Sequence, residues 1–145
     1  MMDFEPHMKL IKFLLKRYLL TLLTLILILY LTFFKPVGHM PKVNITGLDK
    51  AVHFVMYFTL CAVFWFETFR ITLKPKPFLM AMLAVVIPVV FSGAMEYLQY
   101  RLTSYRTGDL IDFVFNTVGV LVALFFSIFV TKPCLVKYRS KLRGK

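Results

Sequence analysis

The stretch LDKAVHFVMYF, residues 48–58, places an acid, a base and an imidazole at the start of an apolar segment. Asp49, His53 and Tyr57 recur at positions i, i+4 and i+8, which form one stripe of a helix. The residues between them, and most of those up to Phe69, are apolar. The stretch therefore predicts a membrane-spanning helix that carries part of a polar site at one end.

The composition indicates that lipid is the solvent of most of the chain. Of 145 residues, 59% are hydrophobic and the mean hydropathy is +0.75, whereas roughly 45–50% is typical of a soluble domain. The formal net charge of +11 is also a property of nucleic-acid-binding proteins. Here the basic residues lie almost wholly between the apolar runs, so we predict no nucleic-acid partner.

Four apolar runs are long enough to cross a membrane, since about 17 to 25 helical residues span a hydrocarbon core of about 30 Å. β-Barrel strands would be shorter and would alternate in polarity. We predict an all-α integral membrane protein, a four-transmembrane-helix bundle in one domain, residues 1–145. The predicted spans are about 13–34, 50–69, 78–99 and 111–131, followed by a basic tail, 132–145.

The basic residues also predict the orientation of the bundle. The N-terminal segment, the loop between the second and third runs and the C-terminal tail carry 13 of the 18 Lys and Arg residues. Positively charged loops stay on the cytoplasmic side of a membrane. Both termini are therefore predicted to be cytoplasmic.

The acidic residues concentrate on the opposite side. Glu67 lies near the cytoplasmic end of the second run, where it can pair with Arg70 three residues later. Four of the seven acids fall at the outward ends of the second, third and fourth runs, namely Asp49, Glu96, Asp109 and Asp112.

Spacing places these acids on common helix faces. Glu96 and Gln99 are i and i+3, while Asp109, Asp112 and Asn116 are i, i+3 and i+7. A polar group that faced lipid would cost several kcal/mol. We therefore predict that the stripes turn toward one another and share a pocket at the outer rim.

Two further features concern how the helices pack. Gly119, Ala123 and Ser127 recur every four residues, and such small residues let neighbouring helices approach closely. Pro88 lies inside the third run, where it is expected to kink the helix.

Three sequence blocks, DKAVHFVMY, EYLQ and RTGDLIDFVFNTVG, resemble the motif blocks of VanZ-like membrane proteins over about residues 48–125. The resemblance implies a small multi-pass protein of the bacterial inner membrane with a role in the cell envelope. Because the family is named after a member linked to glycopeptide (teicoplanin) resistance, such resistance is a further expectation. One departure is VLVALFF after Gly119, where members commonly repeat small residues.

Our first functional hypothesis is a site for an anionic envelope lipid or cell-wall precursor. Lys50, Arg101 and Arg106 would hold the anion, and Arg106 is the strongest candidate because guanidinium binds phosphate or carboxylate with two hydrogen bonds. The expected partners are membrane lipids and a lipid-linked cell-wall precursor or glycopeptide. The predicted ligand-binding residues are Asp49, Lys50, His53, Tyr57, Glu96, Gln99, Arg106, Asp109, Asp112 and Asn116.

Two other hypotheses stay open. In a membrane-embedded hydrolase or transferase acting on a lipid-linked phosphate, His53, Glu96 and Asp109 would be catalytic, or the cluster would bind a divalent metal. The sequence has no His-Glu-x-x-His, Gly-x-Ser-x-Gly or glycine-rich phosphate motif, so we predict binding without a resident metal or cofactor. Alternatively, the buried acids pair with bases only to hold the helices in register.

Overall fold

The computed structural model describes residues 4–33, 47–102 and 110–144, and all regular secondary structure in these ranges is helical. This confirms the predicted all-α class. Two π-helical turns, Met82–Val86 and Ser127–Thr131, join consecutive helices. The α-helices are α1 (Phe4–Arg17), α2 (Leu19–Phe33), α3 (Leu48–Ile71), α4 (Pro77–Ala81), α5 (Ile87–Leu102), α6 (Leu110–Phe126) and α7 (Lys132–Arg143).

Three helical rods are long and apolar enough to cross a membrane. They cover Leu48–Ile71, Phe78–Leu102 and Leu110–Arg143, in agreement with the second, third and fourth predicted spans. The first predicted span, residues 13–34, is divided at Tyr18 between α1 and α2, and its last residue lies outside the described ranges. The 15 residues of α2 cover about 22 Å at 1.5 Å per residue. This length is shorter than the thickness of a hydrocarbon core, about 30 Å.

Glu67 explains the division at Tyr18. Its carboxylate accepts hydrogen bonds from the backbone N–H groups of Leu20 and Thr21, each at 3.0 Å, and from Thr21 Oγ1 at 2.7 Å. A side chain that takes these N–H groups interrupts the ladder of hydrogen bonds along a helix. The negative charge also favours the positive N-terminal end of the α2 dipole. The carboxylate therefore caps the start of α2.

Each π-helical turn ends two residues before a proline. Pro88 has no N–H, and its ring would clash with the carbonyl group four residues earlier in a regular helix. The wider hydrogen-bond ladder of the π turn lets the helix continue past Pro88. The distortion that the sequence predicted at Pro88 is therefore a π-helical turn. Pro133 follows the second π turn in the same way. As a result the predicted tail is helical over most of its length, as α7.

Contacts at the two ends of the bundle give the directions of the helices. His53 near the start of α3 meets Asn116 near the start of α6, and Arg139 of α7 donates to the carbonyl oxygen of Phe69 near the end of α3. The helices α3 and α6–α7 therefore run parallel. Glu96, near the end of α5, also bonds to Asn116, so α5 runs in the opposite direction. Helices that cross a membrane one after another would alternate in direction in this way.

The bundle is apolar on its outside as well as in its core. Val90, Phe125 and Phe129 are 66%, 61% and 70% exposed, whereas Asn116 and Ser92 are fully buried. A soluble domain would show the reverse arrangement. The apolar core consists of two clusters, one formed by Tyr57, Cys61, Val120 and Ala123 and the other by Trp65, Phe69 and Ala84.

Gly119 lies at the closest approach between α3 and α6. A Cβ atom added there would be 2.6 Å from the carbonyl oxygen of Phe54 and 3.1 Å from the backbone nitrogen of Phe58. Ala123 and Ser127, one and two turns later, are fully buried. The predicted close approach along this small-residue face is confirmed.

We predict that Gly119→Ala destabilises the bundle by about 1–3 kcal/mol, the usual cost of overpacking. The loss should appear although alanine favours a helix by about 1 kcal/mol over glycine. Unfolding of the purified protein in detergent micelles measures the change. Gly93→Ala is the matched control, because its Cβ would meet the Phe113 ring at 3.4 Å and should leave stability unchanged or raised. A stabilised Gly119→Ala protein would contradict the assignment.

We also predict that Glu67→Gln destabilises the start of α2 by about 1–3 kcal/mol, because at least one of the partly buried donors loses its acceptor. Hydrogen exchange at the amides of Leu20 and Thr21 should become faster. Thr21→Val is the control, since it removes only the hydroxyl donor and leaves both backbone bonds in place. Unchanged exchange at these amides in Glu67→Gln would show that the carboxylate is not the cap.

Candidate functional site

Four polar side chains from three helices meet inside the bundle, at the end where α3 and α6 begin and α5 ends. His53 comes from α3, Glu96 from α5, and Asp112 and Asn116 from α6. They are 4%, 8%, 6% and 0% exposed, respectively. We call these four residues the polar cluster. Side chains from all three predicted stripes therefore lie together at one location.

Asn116 links the other two helices. Its Nδ2 donates to Glu96 Oε1 at 2.9 Å, and its Oδ1 lies 3.1 Å from His53 Nδ1. A carboxylate accepts hydrogen bonds, so the amide nitrogen faces Glu96 and the amide oxygen faces the imidazole. His53 Nδ1 is then the donor to Asn116, and it also lies 3.4 Å from Glu96 Oε1.

The second imidazole nitrogen faces α6. His53 Nε2 lies 3.8 Å from Asp112 Oδ2, which is longer than an N–H···O hydrogen bond. Asp49 lies one helical turn before His53. Because Asp49 is exposed whereas His53 and Asp112 are buried, these three residues form a group that reaches the protein surface. One donor atom from each of the three residues lies within 4.8 Å of the others. This set of one nitrogen and two oxygens can hold a metal ion.

Two hydroxyl groups lie below the polar cluster. Tyr57 is 2% exposed and lies beside Ser92 and Glu96. Ser92 is fully buried and was not among the predicted site residues. It precedes Glu96 by four residues, so it lies on the same face of α5, and this spacing is the signal that would have identified it.

The structure describes the positions of most residues of the predicted site. Lys50 is half-buried next to Asp49, and Arg101 is exposed near the end of α5. The side chain of Gln99 and the whole of Arg106 and Asp109 lie outside what the structure describes. The predicted residues that it brings together are Asp49, His53, Tyr57, Glu96, Asp112 and Asn116.

Carboxyl groups dominate the chemistry of the described part of the site. Asp49, Glu96 and Asp112 contribute three, and the neighbouring cation is Lys50. Burying such groups among apolar helices is costly unless they are paired and hydrogen-bonded. Carboxylate oxygens and an imidazole nitrogen are donor atoms that can bind a cation, whereas an anion at this site needs a positive group beside it.

Comparisons with known proteins give one similarity. The chain is 33% identical over 108 residues to an uncharacterized protein of the fission yeast Schizosaccharomyces pombe, a match that includes 74% of this chain. The chain spans less than two thirds of that relative, 63% of its length. No family model and no solved structure match the chain.

We predict that Glu96 and Asn116 are energetically coupled. Asn116→Ala removes a donor from a buried carboxyl group, which costs about 1–3 kcal/mol or more. Once Glu96 is alanine, the same substitution should cost less, with a coupling energy of at least about 0.5–1 kcal/mol. A double-mutant cycle of unfolding free energies in detergent measures this coupling. Additive effects would show that the 2.9 Å contact contributes nothing to stability.

Proposed function

We propose that this chain is a VanZ-like multi-pass protein that binds the anionic group of an envelope lipid or a lipid-linked cell-wall precursor at the polar cluster. The observation that supports the proposal best is a buried network that reaches the surface. Asp49 is exposed, and its carboxyl group lies within 4.8 Å of donor atoms on the buried His53 and Asp112. A polar group of a lipid can therefore reach the buried residues from the membrane surface.

The proposed location is the cytoplasmic (inner) membrane of a bacterium, with four crossings and both termini in the cytoplasm. The three long apolar helices and the alternating directions of α3, α5 and α6 support three of these crossings. The fourth crossing rests on the apolar run at residues 13–34 of the sequence. At 1.5 Å per residue, Asp49 and Glu67 lie about 27 Å apart along α3. This distance is close to the thickness of a hydrocarbon core, which supports a polar cluster at the membrane face opposite Glu67. The positive-inside rule makes that face the outer one.

A purely structural role explains less of the arrangement. Locking three helices in register requires the buried contacts of His53, Glu96 and Asn116 alone. It does not require an exposed carboxyl group at Asp49 with a half-buried Lys50 beside it. Ionisable groups at this depth are most often part of a functional site.

Recognition of an anion in this acidic surrounding requires cations at the rim. Lys50 is suited to this role because it is half-buried at the start of α3, and Arg106 remains the second candidate from the sequence. The inner residues Tyr57 and Asn116 would then contribute neutral hydrogen bonds. If the bound molecule is a cell-wall precursor, competition with a glycopeptide antibiotic gives the expected link to resistance.

A second candidate function is a membrane-embedded hydrolase or transferase acting on a lipid-linked phosphate. The observation that favours it is the orientation of His53. Asn116 holds the Nδ1 side of the ring, and Nε2 faces Asp112 at 3.8 Å. An imidazole oriented in this way is suited to act as a general base.

We predict that the purified protein binds a polyprenyl phosphate at least tenfold more tightly than the polyprenol of the same length. Lys50→Ala should weaken binding of the phosphate by about 10- to 100-fold, because a hydrogen bond to a charged group contributes about 1.5–3 kcal/mol. Binding is measured in nanodiscs of neutral phospholipid. Lys74→Ala is the matched control, since Lys74 is an exposed lysine in the turn between α3 and α4.

Equal affinity for phosphate and alcohol, or equal effects of the two lysine substitutions, would overturn the proposed function. Release of inorganic phosphate from the same lipid, abolished by His53→Ala in a protein that remains folded, would select the enzyme instead.

A further inference from the structure

We propose that Asp49, His53 and Asp112 form a divalent metal site, with zinc as the best-matched ion. The donor atoms are one imidazole nitrogen and two carboxylate oxygens, a set that zinc accepts readily, whereas magnesium and calcium favour oxygen alone. The ion would supply the positive charge that an anionic headgroup needs, so the metal site deepens the proposed function. The inference rests on the proposed function only for the identity of the bound ligand.

The hydrogen bonds of Asn116 support this assignment. Because Asn116 Nδ2 donates to Glu96, Asn116 Oδ1 must accept from His53 Nδ1. A neutral imidazole with its proton on Nδ1 presents a lone pair at Nε2. Metal-binding histidines are usually held in this way by a hydrogen bond at the other ring nitrogen.

The separation between His53 and Asp112 fits a shared cation. His53 Nε2 and Asp112 Oδ2 lie 3.8 Å apart. Two ligands bound to tetrahedral zinc at about 2.1 Å lie about 3.4 Å apart, so an adjustment of a few tenths of an ångström closes the gap.

Asp49 completes the set from the accessible side. It lies four residues before His53, so the two side chains share one face of α3. Because Asp49 is exposed, its side chain can rotate to bring an oxygen into the coordination distance. Three protein ligands leave one position of a tetrahedral zinc ion open, and a phosphate oxygen of the lipid is the ligand that we assign to it.

The test begins with zinc alone. Protein stripped with a chelator and dialysed against zinc in detergent should retain about one ion per chain, and its X-ray absorption spectrum should show nitrogen and oxygen ligands without sulfur. The experiment uses a Cys134→Ser background, because Cys134 is an exposed thiol. A protein that retains no zinc, or binds it through sulfur, overturns the metal site without any substitution in the cluster.

Variants then assign the ligands. His53→Ala and Asp112→Ala should each abolish the retained ion, and zinc should no longer raise their melting temperatures. Asn116→Ala keeps all three donors and should weaken zinc binding by about 10- to 100-fold, as expected for loss of a hydrogen bond that orients a ligand. His7→Ala, which changes a histidine of α1, is the control and should bind zinc as the parent does. Full retention in His53→Ala overturns the assignment.

A final arm separates the metal site from the proposed function. Zinc should raise the affinity for polyprenyl phosphate at least tenfold and leave the affinity for polyprenol unchanged. If the phosphate binds equally well after chelation, the inferred role of the metal is overturned and the proposed function stands. If zinc binds and the phosphate does not, the proposed function is overturned and the metal site stands.

Discussion

The approach of α6 to α3 at Gly119 sets the geometry of the whole site. The absence of a side chain there lets the α6 backbone lie against Phe54 O, where a Cβ atom would be at 2.6 Å. Phe54 is the residue next to His53, and Asn116 lies about one turn before Gly119. A separation larger by the width of a methyl group would break the 3.1 Å contact between the imidazole and the amide. The polar cluster therefore depends on a glycine that takes no part in its chemistry.

The opposite end of α3 is held by polar contacts of a different kind. Glu67 caps the start of α2, and Arg139 donates to the last carbonyl groups of α3 at Phe69 and Arg70, at 3.1 and 2.6 Å. Both contacts join a charged side chain to the end of a helix whose dipole has the opposite sign. They position α2 and α7 around α3 through charges that balance backbone groups.

Much of the fold follows from the sequence because lipid imposes a simple rule on length and polarity. Apolar runs of sufficient length predicted three of the helices, and helical spacing predicted that Asp49, His53, Glu96, Asp112 and Asn116 would meet. Such patterns are local, so they can be read along one segment at a time. The prediction extended to Gln99, Arg106 and Asp109, whose side chains lie outside the part of the chain that the structure describes.

The features that were not predicted depend on contacts between distant segments. Glu67 lies 46 residues from Thr21, and no periodic pattern links the two positions, so neither the cap nor the division between α1 and α2 was evident. The pairing of Arg139 with the end of α3 is of the same kind. Ser92 differs, because its spacing of four residues from Glu96 is visible in the sequence, but a single hydroxyl group in an apolar helix is a weak signal.

The identity of each donor in the cluster also carries an argument about function. If the network served only to join helices, Asn116 would satisfy both neighbours and the far side of the imidazole could face any apolar residue. Instead, His53 Nε2 faces a carboxyl group that is 6% exposed, and a second carboxyl group follows at the surface. Each additional buried acid costs free energy unless a positive charge accompanies it. In the proposed metal site, the bound ion supplies such a charge between Asp112 and Asp49.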